Sequence, residues 1–423
     1  MTDLALLALV LALLAPFRQR MRSLPITPPI VLVAVGLLLG PEVLGVINIK
    51  FDDEAIVLLA ELTLAMVLFA DASRVVVRAN RRTIEIPGRL LAFSLPLTIG
   101  LGTLLLRALL SDLSWAQAAL VATVLAPTDA ALGEAVVSNK IVPARIRQAL
   151  NIESGINDGM VVPVFTVLLA LVAGTELESV GSKVGEALLE ILISLVIATI
   201  GALSIAKVLP FVLARDWIDH VGVRFLALGV ALSAFAGTES LGGNGFVGVF
   251  VAGLIARKVI GPDVTDHSEL IEELGQLGAW ASFFLFGALL VVPAFMVVTP
   301  LVIVSALLIL SVGRMIPVAI SLIGVKLQPL SVGFLGWFGP RGLASLLFGL
   351  LLVTNENLTM TEDLFAVIVV TILGSVLLHG ISAAPLSAAY GRWVEREREM
   401  MAESPEVEKV ETEVRLRHHR RPR

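Results

Sequence analysis

The sequence predicts an all-α membrane protein that crosses the bilayer about thirteen times. The chain of 423 residues is 57% hydrophobic and has a mean hydropathy of +0.92, whereas soluble domains contain about 45–50% apolar residues. Apolar runs recur along almost the whole chain, and short loops rich in glycine, proline and charge separate them. The alternating segments of about 10 residues that are typical of a membrane β-barrel are not seen in the sequence.

Each predicted span approaches the roughly 20 apolar residues that a bilayer-crossing helix requires. The first span has no basic region before it and no clear cleavage site, so we interpret it as retained rather than as a signal peptide. The sequence contains no cysteine, which excludes disulfides, thiolate metal sites and a cysteine nucleophile. The predicted spans are 3–17, 24–47, 55–73, 90–110, 115–138, 148–173, 186–212, 221–237, 243–260, 276–296, 298–325, 330–353 and 363–388.

The charges of the loops predict the orientation of the chain. Cations lie in or beside the loops after odd-numbered spans, and they are Arg18, Arg20, Arg22, Arg74, Arg78, Arg81, Arg82, Arg89, Lys140, Arg145, Arg147, Lys207, Arg215, Arg224, Arg257 and Lys258. The intervening loops are mainly acidic. By the positive-inside rule the N-terminus lies outside and the C-terminus, with a charged tail over 391–423, lies in the cytoplasm. We expect a bacterial or archaeal plasma membrane.

Two spans are interrupted near their middle by a proline and a charged residue. The fifth span breaks at 126–129, which reads Ala-Pro-Thr-Asp, and the twelfth breaks at 338–342, which reads Phe-Gly-Pro-Arg-Gly. Two interrupted helices in corresponding halves of a chain predict inverted repeats and a secondary-transporter site. We expect Asp129 and Arg341 to neutralise the partial charges of the half-helix ends where the broken helices cross. A pair of ordinary proline kinks is the alternative interpretation.

The sixth span carries the polar residues that indicate a function. Residues four apart share a helix face, so Ser154 lies beside Asp158 and Glu153 lies beside Asn157. A carboxylate inside the bilayer costs several kcal/mol, about 2.5–3.5 on insertion scales, and its default interpretation is an ion or proton pathway. Sodium prefers oxygen ligands. The predicted sodium-binding set is Asp158, Ser154, Thr128 and Asp129.

Asp158 is the residue that we expect to carry the transported ion. Desolvation disfavours the charged form of a buried carboxylate, so a proton can compete with a cation for the same group. Two cations, Arg314 and Arg341, lie deep in later spans, and arginine does not deprotonate in proteins. We predict that Glu153 pairs with Arg341 as a fixed strut, and that one proton exchanges for one monovalent cation without net charge movement. Asp71 near the end of the third span either pairs with Arg74 or reaches the ion path.

These motifs together resemble the monovalent cation:proton antiporter-1 family, the NhaP-type sodium/proton exchangers. The resemblance rests on three stretches, Thr128-Asp129 after a proline, Glu153-Ser154-x-x-Asn157-Asp158, and Gly339-Pro340-Arg341-Gly342, and it covers roughly residues 1–390. It implies an NhaA-like fold of thirteen helices, a homodimer, and elevator-like alternating access. The implied parts are a dimerisation part over roughly 1–80 and 221–296, a core over roughly 90–173 and 298–388, and a linker helix over roughly 186–212.

The resemblance also implies roles for individual residues. Asp158 would bind the ion, Ser154 and Thr128 would assist, and Asp129 would lie at the crossing. Asn157 stands where electrogenic relatives carry a second aspartate and Arg314 stands where they carry a lysine, so electroneutral exchange is implied. Asp71 is the candidate for the acidic ligand that some members have in the third span.

The prediction is therefore an antiporter of Na⁺, Li⁺ or K⁺ and protons rather than an enzyme. Its expected partners are a second copy of the chain, membrane lipid, monovalent cations and protons, with no cofactor and no nucleic acid. An intramembrane aspartyl protease is disfavoured because its Tyr-Asp motif has no counterpart, the only tyrosine being Tyr390. A channel is disfavoured because a carboxylate site holds ions for exchange. A transporter of the same fold for an organic anion is the remaining alternative.

Overall fold

A computed structural model describes residues 2–17, 27–47, 54–74, 81–129, 132–173, 180–260, 269–355, 358 and 361–397. Helices of the first half are α1 (Thr2–Leu14), α2 (Pro28–Leu39), α3 (Glu54–Arg74), α4 (Arg81–Arg89), α5 (Leu95–Leu109), α6 (Trp115–Val124), α7 (Glu134–Val137), α8 (Ala144–Ala173) and α9 (Val180–Leu213). Helices of the second half are α10 (His220–Ser240), α11 (Gly245–Ile260), α12 (Glu269–Leu289), α13 (Val291–Val297), α14 (Pro300–Leu310), α15 (Val312–Ser321), α16 (Pro329–Trp337), α17 (Leu343–Val353) and α18 (Glu362–Arg396). A π-helical turn over Leu90–Ser94 joins α4 to α5, and a 3₁₀ turn over Ala15–Phe17 follows α1.

Each of the thirteen predicted spans contains a described helix. Among the described residues, seven helical stretches are long and apolar enough to cross a membrane, and α12 with α13, bent by 40°, makes eight if the pair counts as one span. Five shorter apolar helices account for the first, second, fifth, ninth and twelfth predicted spans. The predicted all-α membrane fold is confirmed. The basic cluster at 18–22 and the charged tail from residue 398 lie outside the described residues.

Local sequence explains where several helices begin. Ser114 caps α6 by accepting from the Gln117 amide, and the Gln117 side chain accepts from the Ser114 amide in return. Thr299 and Thr361 cap α14 and α18 in the same way with their hydroxyl groups. A proline in the first turn starts α2, α14 and α16 without the loss of an internal hydrogen bond.

The helices pack in two groups that meet at α8. In one group α2 packs on α12, and α11 packs on α3, α9 and α10. In the other, α6 packs on α5, α14 packs on α18, and α15 packs on α16. The approach of α2 to α12 depends on Gly36 and Gly287, since a Cβ on either would collide with the other helix's backbone. Because α8 contacts α3, α9 and α11 as well as α6, its polar residues lie at the boundary between the groups.

Candidate functional site

The two interrupted spans cross at their breaks, as the sequence predicted. Helix α6 ends at Val124, and the chain continues without helical structure through Asp129. The second break separates the end of α16 at Trp337 from the start of α17 at Leu343. The Asp129 amide donates to the Pro340 carbonyl at 2.8 Å, so the two extended stretches are joined backbone to backbone.

Asp129 and Arg341 lie at the half-helix ends that they were expected to neutralise. The Arg341 Nη1 donates to the Ala126 carbonyl at 2.9 Å, just past the C-terminal end of α6, where carbonyls carry partial negative charge. Asp129 Oδ2 accepts from the Leu343 amide at 2.9 Å, at the positive end of α17. Arg341 is fully buried, so this crossing lies in the interior of the protein.

Two glycines leave room for these charges. A Cβ on Gly342 would collide with the Asp129 carboxylate, and a Cβ on Gly339 would collide with the Arg314 guanidinium. Both glycines belong to the motif 339–342. The neighbouring charged groups occupy the space that a side chain would need at these two positions.

The predicted pairing of Glu153 with Arg341 is wrong. Glu153 pairs with Arg314, with 2.8 Å from Nη1 to Oε1 and 2.8 Å from Nη2 to Oε2. The eleventh span is interrupted at Ser311, and Arg314 in the first turn of α15 reaches α8 beside Gly339. The Arg341 guanidinium bonds the Ala126 carbonyl instead. The Glu153 and Arg314 side chains are both 3% exposed, so this two-point ion pair is fully enclosed.

The neighbouring face of α8 is tied to the break of the fifth span through Thr128. The Ser154 hydroxyl donates to the Thr128 carbonyl at 2.6 Å, and the Asn157 amide Nδ2 donates to the Thr128 hydroxyl at 2.7 Å. Thr128 and Asn157 are buried and do not line the cavity described next. These residues position the Asp129 stretch against α8.

Asp158 faces a cavity of about 380 Å³ between the two helix groups. It is buried, and within the described part of the chain its Oδ1 has no hydrogen-bond partner. Ser154 and Asp129 line the same cavity, so three of the four predicted sodium ligands lie along it. A carboxylate oxygen without a protein partner is available to a cation or to a proton.

The opposite wall of the cavity belongs to α3 and α12. Asp71 lines it, and its Oδ1 is 4.0 Å from the Arg74 Nη1. Arg74 makes a closer ion pair with Glu272, and both of these side chains are partly exposed. Sequence reasoning missed Glu272 because it assigned the start of the tenth span to residue 276, whereas α12 begins at Glu269. The signal was the acidic pair Glu269 and Glu272, which is typical of a first helical turn.

An all-helical membrane protein with two crossed, interrupted helices and charged groups at its centre belongs, by architecture, to the secondary transporters. The profile described as "Sodium/hydrogen exchanger, transmembrane" matches residues 9–389. The chain therefore belongs to the sodium/hydrogen exchanger family, which comprises antiporters and not enzymes.

Relatives of known designation agree with this assignment. The chain is 26% identical over 383 residues to the K(+)/H(+) antiporter NhaP2 of Shewanella sp. (strain ANA-3), covering 89% of this chain and 64% of the relative. It is 25% identical over 378 residues to the K(+)/H(+) antiporter NhaP of Alkalimonas amylolytica, covering 87% and 63%. The chain thus spans just under two thirds of the length of these relatives. The solved sodium proton antiporter MjNhaP1 of Methanocaldococcus jannaschii shares the fold, with a TM-score of 0.72, 20% identity and coverage of 90% and 98%.

Proposed function

We propose that this protein exchanges a monovalent cation for a proton, and that both compete for Asp158. The observation that carries the proposal is the Asp158 carboxylate, which lies buried on a cavity with one oxygen free of protein hydrogen bonds in the described structure. A proton that binds there displaces the cation, and a cation that binds there displaces the proton. The relatives named above are designated K(+)/H(+) and sodium proton antiporters, which supports this class of activity.

The charge of the cavity supports a cationic cargo. Its lining carries four carboxylates and one guanidinium, from Asp71, Asp129, Asp158, Glu272 and Arg74. Arg74 is already engaged by Glu272. An organic anion would meet net negative charge here, whereas a transporter of anions would be expected to present a net positive pocket. The oxygen-rich lining favours a hard monovalent cation such as Na⁺, Li⁺ or K⁺.

We infer electroneutral exchange, one cation for one proton. Asn157, the residue next to Asp158, has a neutral amide that is held by Thr128. The Arg314 guanidinium is held at two points by Glu153, so this pair is a fixed part of the structure. The proposed coordination set is Asp158 with Ser154 and Asp129, and Asp71 approaches from the opposite wall. Thr128 and Asn157 hold these residues in position through their hydrogen bonds.

The proposed movement is a sliding of two bodies past each other. One body comprises roughly 1–80 and 221–296, the other roughly 90–173 and 298–388, and the linker helix covers roughly 186–212. The cavity supports this division because Asp71 and Glu272 line it from the first body and Asp158 lines it from the second. With the N-terminus outside, the partly exposed Arg74 side of the cavity faces the cytoplasm. We propose that the protein works as a homodimer in a plasma membrane.

The test is cation-driven proton flux in liposomes that contain an internal pH dye. Sodium, lithium and potassium are added outside with the membrane potential clamped, for the wild type and for Asp158→Asn. We expect the wild type to change the lumen pH and Asp158→Asn to give the signal of empty liposomes. If folded wild type responds to no cation at any pH but exchanges an organic anion, the cation exchanger is rejected in favour of the anion transporter.

A further inference from the structure

One face of α18 contacts the break in the twelfth span. Ser375, His379 and Ser382 follow at spacings of four and three residues, which places them on the same side of the helix. His379 and Ser382 contact Trp337, the last residue of α16, and Ser375 contacts Arg341 within the break. The cation cavity lies elsewhere, since its lining includes no residue of α18.

His379 uses both ring nitrogens to connect Trp337, at the start of the break, with Ser375. Its Nε2 lies 3.0 Å from the Trp337 carbonyl, and its Nδ1 lies 3.2 Å from the Ser375 hydroxyl and 3.1 Å from the Ser375 carbonyl. A proton on Nε2 lets the ring donate to the Trp337 carbonyl and accept from the Ser375 hydroxyl, which is the donor beside Nδ1. Ser375 Oγ in turn accepts from the Arg341 backbone amide at 2.5 Å. One chain of hydrogen bonds therefore runs from the last residue of α16 to Arg341.

Two further contacts fix the orientation of the imidazole. The Trp337 ring packs against the His379 ring with centroids 5.0 Å apart, and the indole Nε1 donates to the Ser382 hydroxyl at 3.0 Å. The His379 side chain is 1% exposed. The ring is thus enclosed and has a partner on each nitrogen.

Arg341 links this arrangement to the ion site. Its backbone is held by Ser375, and its guanidinium holds the Ala126 carbonyl two residues before Thr128. Thr128 is in turn bonded to Ser154 on α8, and Ser154 lines the cavity together with Asp158. A continuous set of contacts therefore connects the break to the cavity, through Arg341, the 126–128 stretch and Ser154.

We propose that His379 is a positioning residue for cation binding, which sets the geometry of the break and through Arg341 the geometry of the site. The inference rests on the proposed exchange activity. It predicts an effect on the apparent affinity for the cation although His379 does not touch the cavity. A histidine that only fills the core would affect the yield and thermal stability of the protein without changing that affinity.

The experiment measures cation-driven proton flux as a function of cation concentration in liposomes containing the full chain. His379→Phe keeps an aromatic ring against Trp337 and removes both hydrogen bonds. His379→Gln keeps an amide that can donate to the Trp337 carbonyl. Ser331→Ala is the matched control, because Ser331 bonds the Tyr390 hydroxyl at 2.8 Å and also joins α16 to α18, but six residues before the last residue of α16.

We expect His379→Phe to raise the cation concentration for half-maximal flux about tenfold, since small misplacements of binding groups have effects of this size or larger. His379→Gln is expected to stay within about threefold of the wild type, since it keeps the hydrogen bond across the break. Ser331→Ala is expected to match the wild type in this parameter even if its melting temperature falls.

The proposal is overturned if His379→Phe keeps the wild-type concentration for half-maximal flux, whether or not it is less stable. It is equally overturned if Ser331→Ala shifts that concentration as much as His379→Phe does. Absence of cation-dependent flux in the wild type would instead refute the proposed function, so the two failures are distinguishable.

Discussion

Two buried carboxylates on α8, five residues apart, have opposite surroundings. Glu153 is enclosed and bonded at two points by Arg314. Asp158 is also buried, but it faces a cavity and one of its oxygens has no protein partner in the described structure. A paired charge in the interior is a structural element, because removal of its partner leaves an uncompensated charge. A buried charge without a fixed partner needs a mobile one, and the proposed function assigns that role to a cation or a proton.

The largest expected effects distinguish the two carboxylates, because one substitution should abolish exchange and the other should lower the stability of the protein. Asp158→Asn should abolish exchange while the protein remains folded, because it removes a charge that has no fixed partner. Glu153→Ala should destabilise the protein by about 3–5 kcal/mol, because it leaves the Arg314 guanidinium in the interior without its partner. Thermal unfolding of detergent-purified protein, beside liposome flux, measures both. The comparison fails if Asp158→Asn unfolds the protein as readily as Glu153→Ala does.

A smaller effect is expected at the crossing of the broken helices. Gly342→Ala places a methyl group where the Asp129 carboxylate lies, and overpacking of this kind costs about 1–3 kcal/mol. We expect reduced stability together with slower exchange, because the Asp129 carboxylate must leave the Leu343 amide.

Gly333→Ala is the control for that substitution, because it lies in the first half of the same broken helix and its Cβ would meet no atom within 4 Å. Equal losses of exchange in the two alanine variants would show that helix composition, and not the space beside Asp129, is what matters.

The smallest effect is expected on the far wall of the cavity. Asp71→Asn should raise the cation concentration for half-maximal exchange about 2- to 5-fold, because a partly exposed charge interaction contributes at most about 1 kcal/mol. Dose–response flux measurements test this expectation. Glu61→Gln on the same helix α3 is the control, since Glu61 does not line the cavity. An identical shift in both variants would mean that Asp71 acts only through the general charge of α3.

Sequence reasoning predicted the crossing because its signals are local. A proline followed by a charge in an apolar run marks both breaks, and the charges lie at the helix ends where the macrodipole favours them. The all-helical membrane fold was predictable for the same reason, since the length of an apolar run is a local property. The ends of the helices were less predictable from the sequence. Glu272 was missed because the sequence of an acidic first helical turn resembles that of a loop.

The partner of Glu153 was not predictable, because two buried arginines were available and the choice depends on three-dimensional packing. The interruption at Ser311 and the space beside Gly339 bring Arg314 to Glu153, while the Ala126 carbonyl holds Arg341. The proposed role of His379 was likewise hidden, since a lone histidine in an apolar helix usually indicates a satisfied core residue. Its contact with the Trp337 carbonyl joins positions far apart in the sequence, and only the fold brings them together.

The most direct test of the central claim is to count the protons released when a cation binds. Titration calorimetry with sodium, lithium or potassium, repeated in two buffers of different ionisation enthalpy, gives that number for the wild type and for Asp158→Asn. Competition at one carboxylate predicts up to one proton released per cation bound by the wild type, and neither binding nor release in the variant. Cation binding without proton release, or equal release from Asp158→Asn, would contradict the claim that the two ions share Asp158.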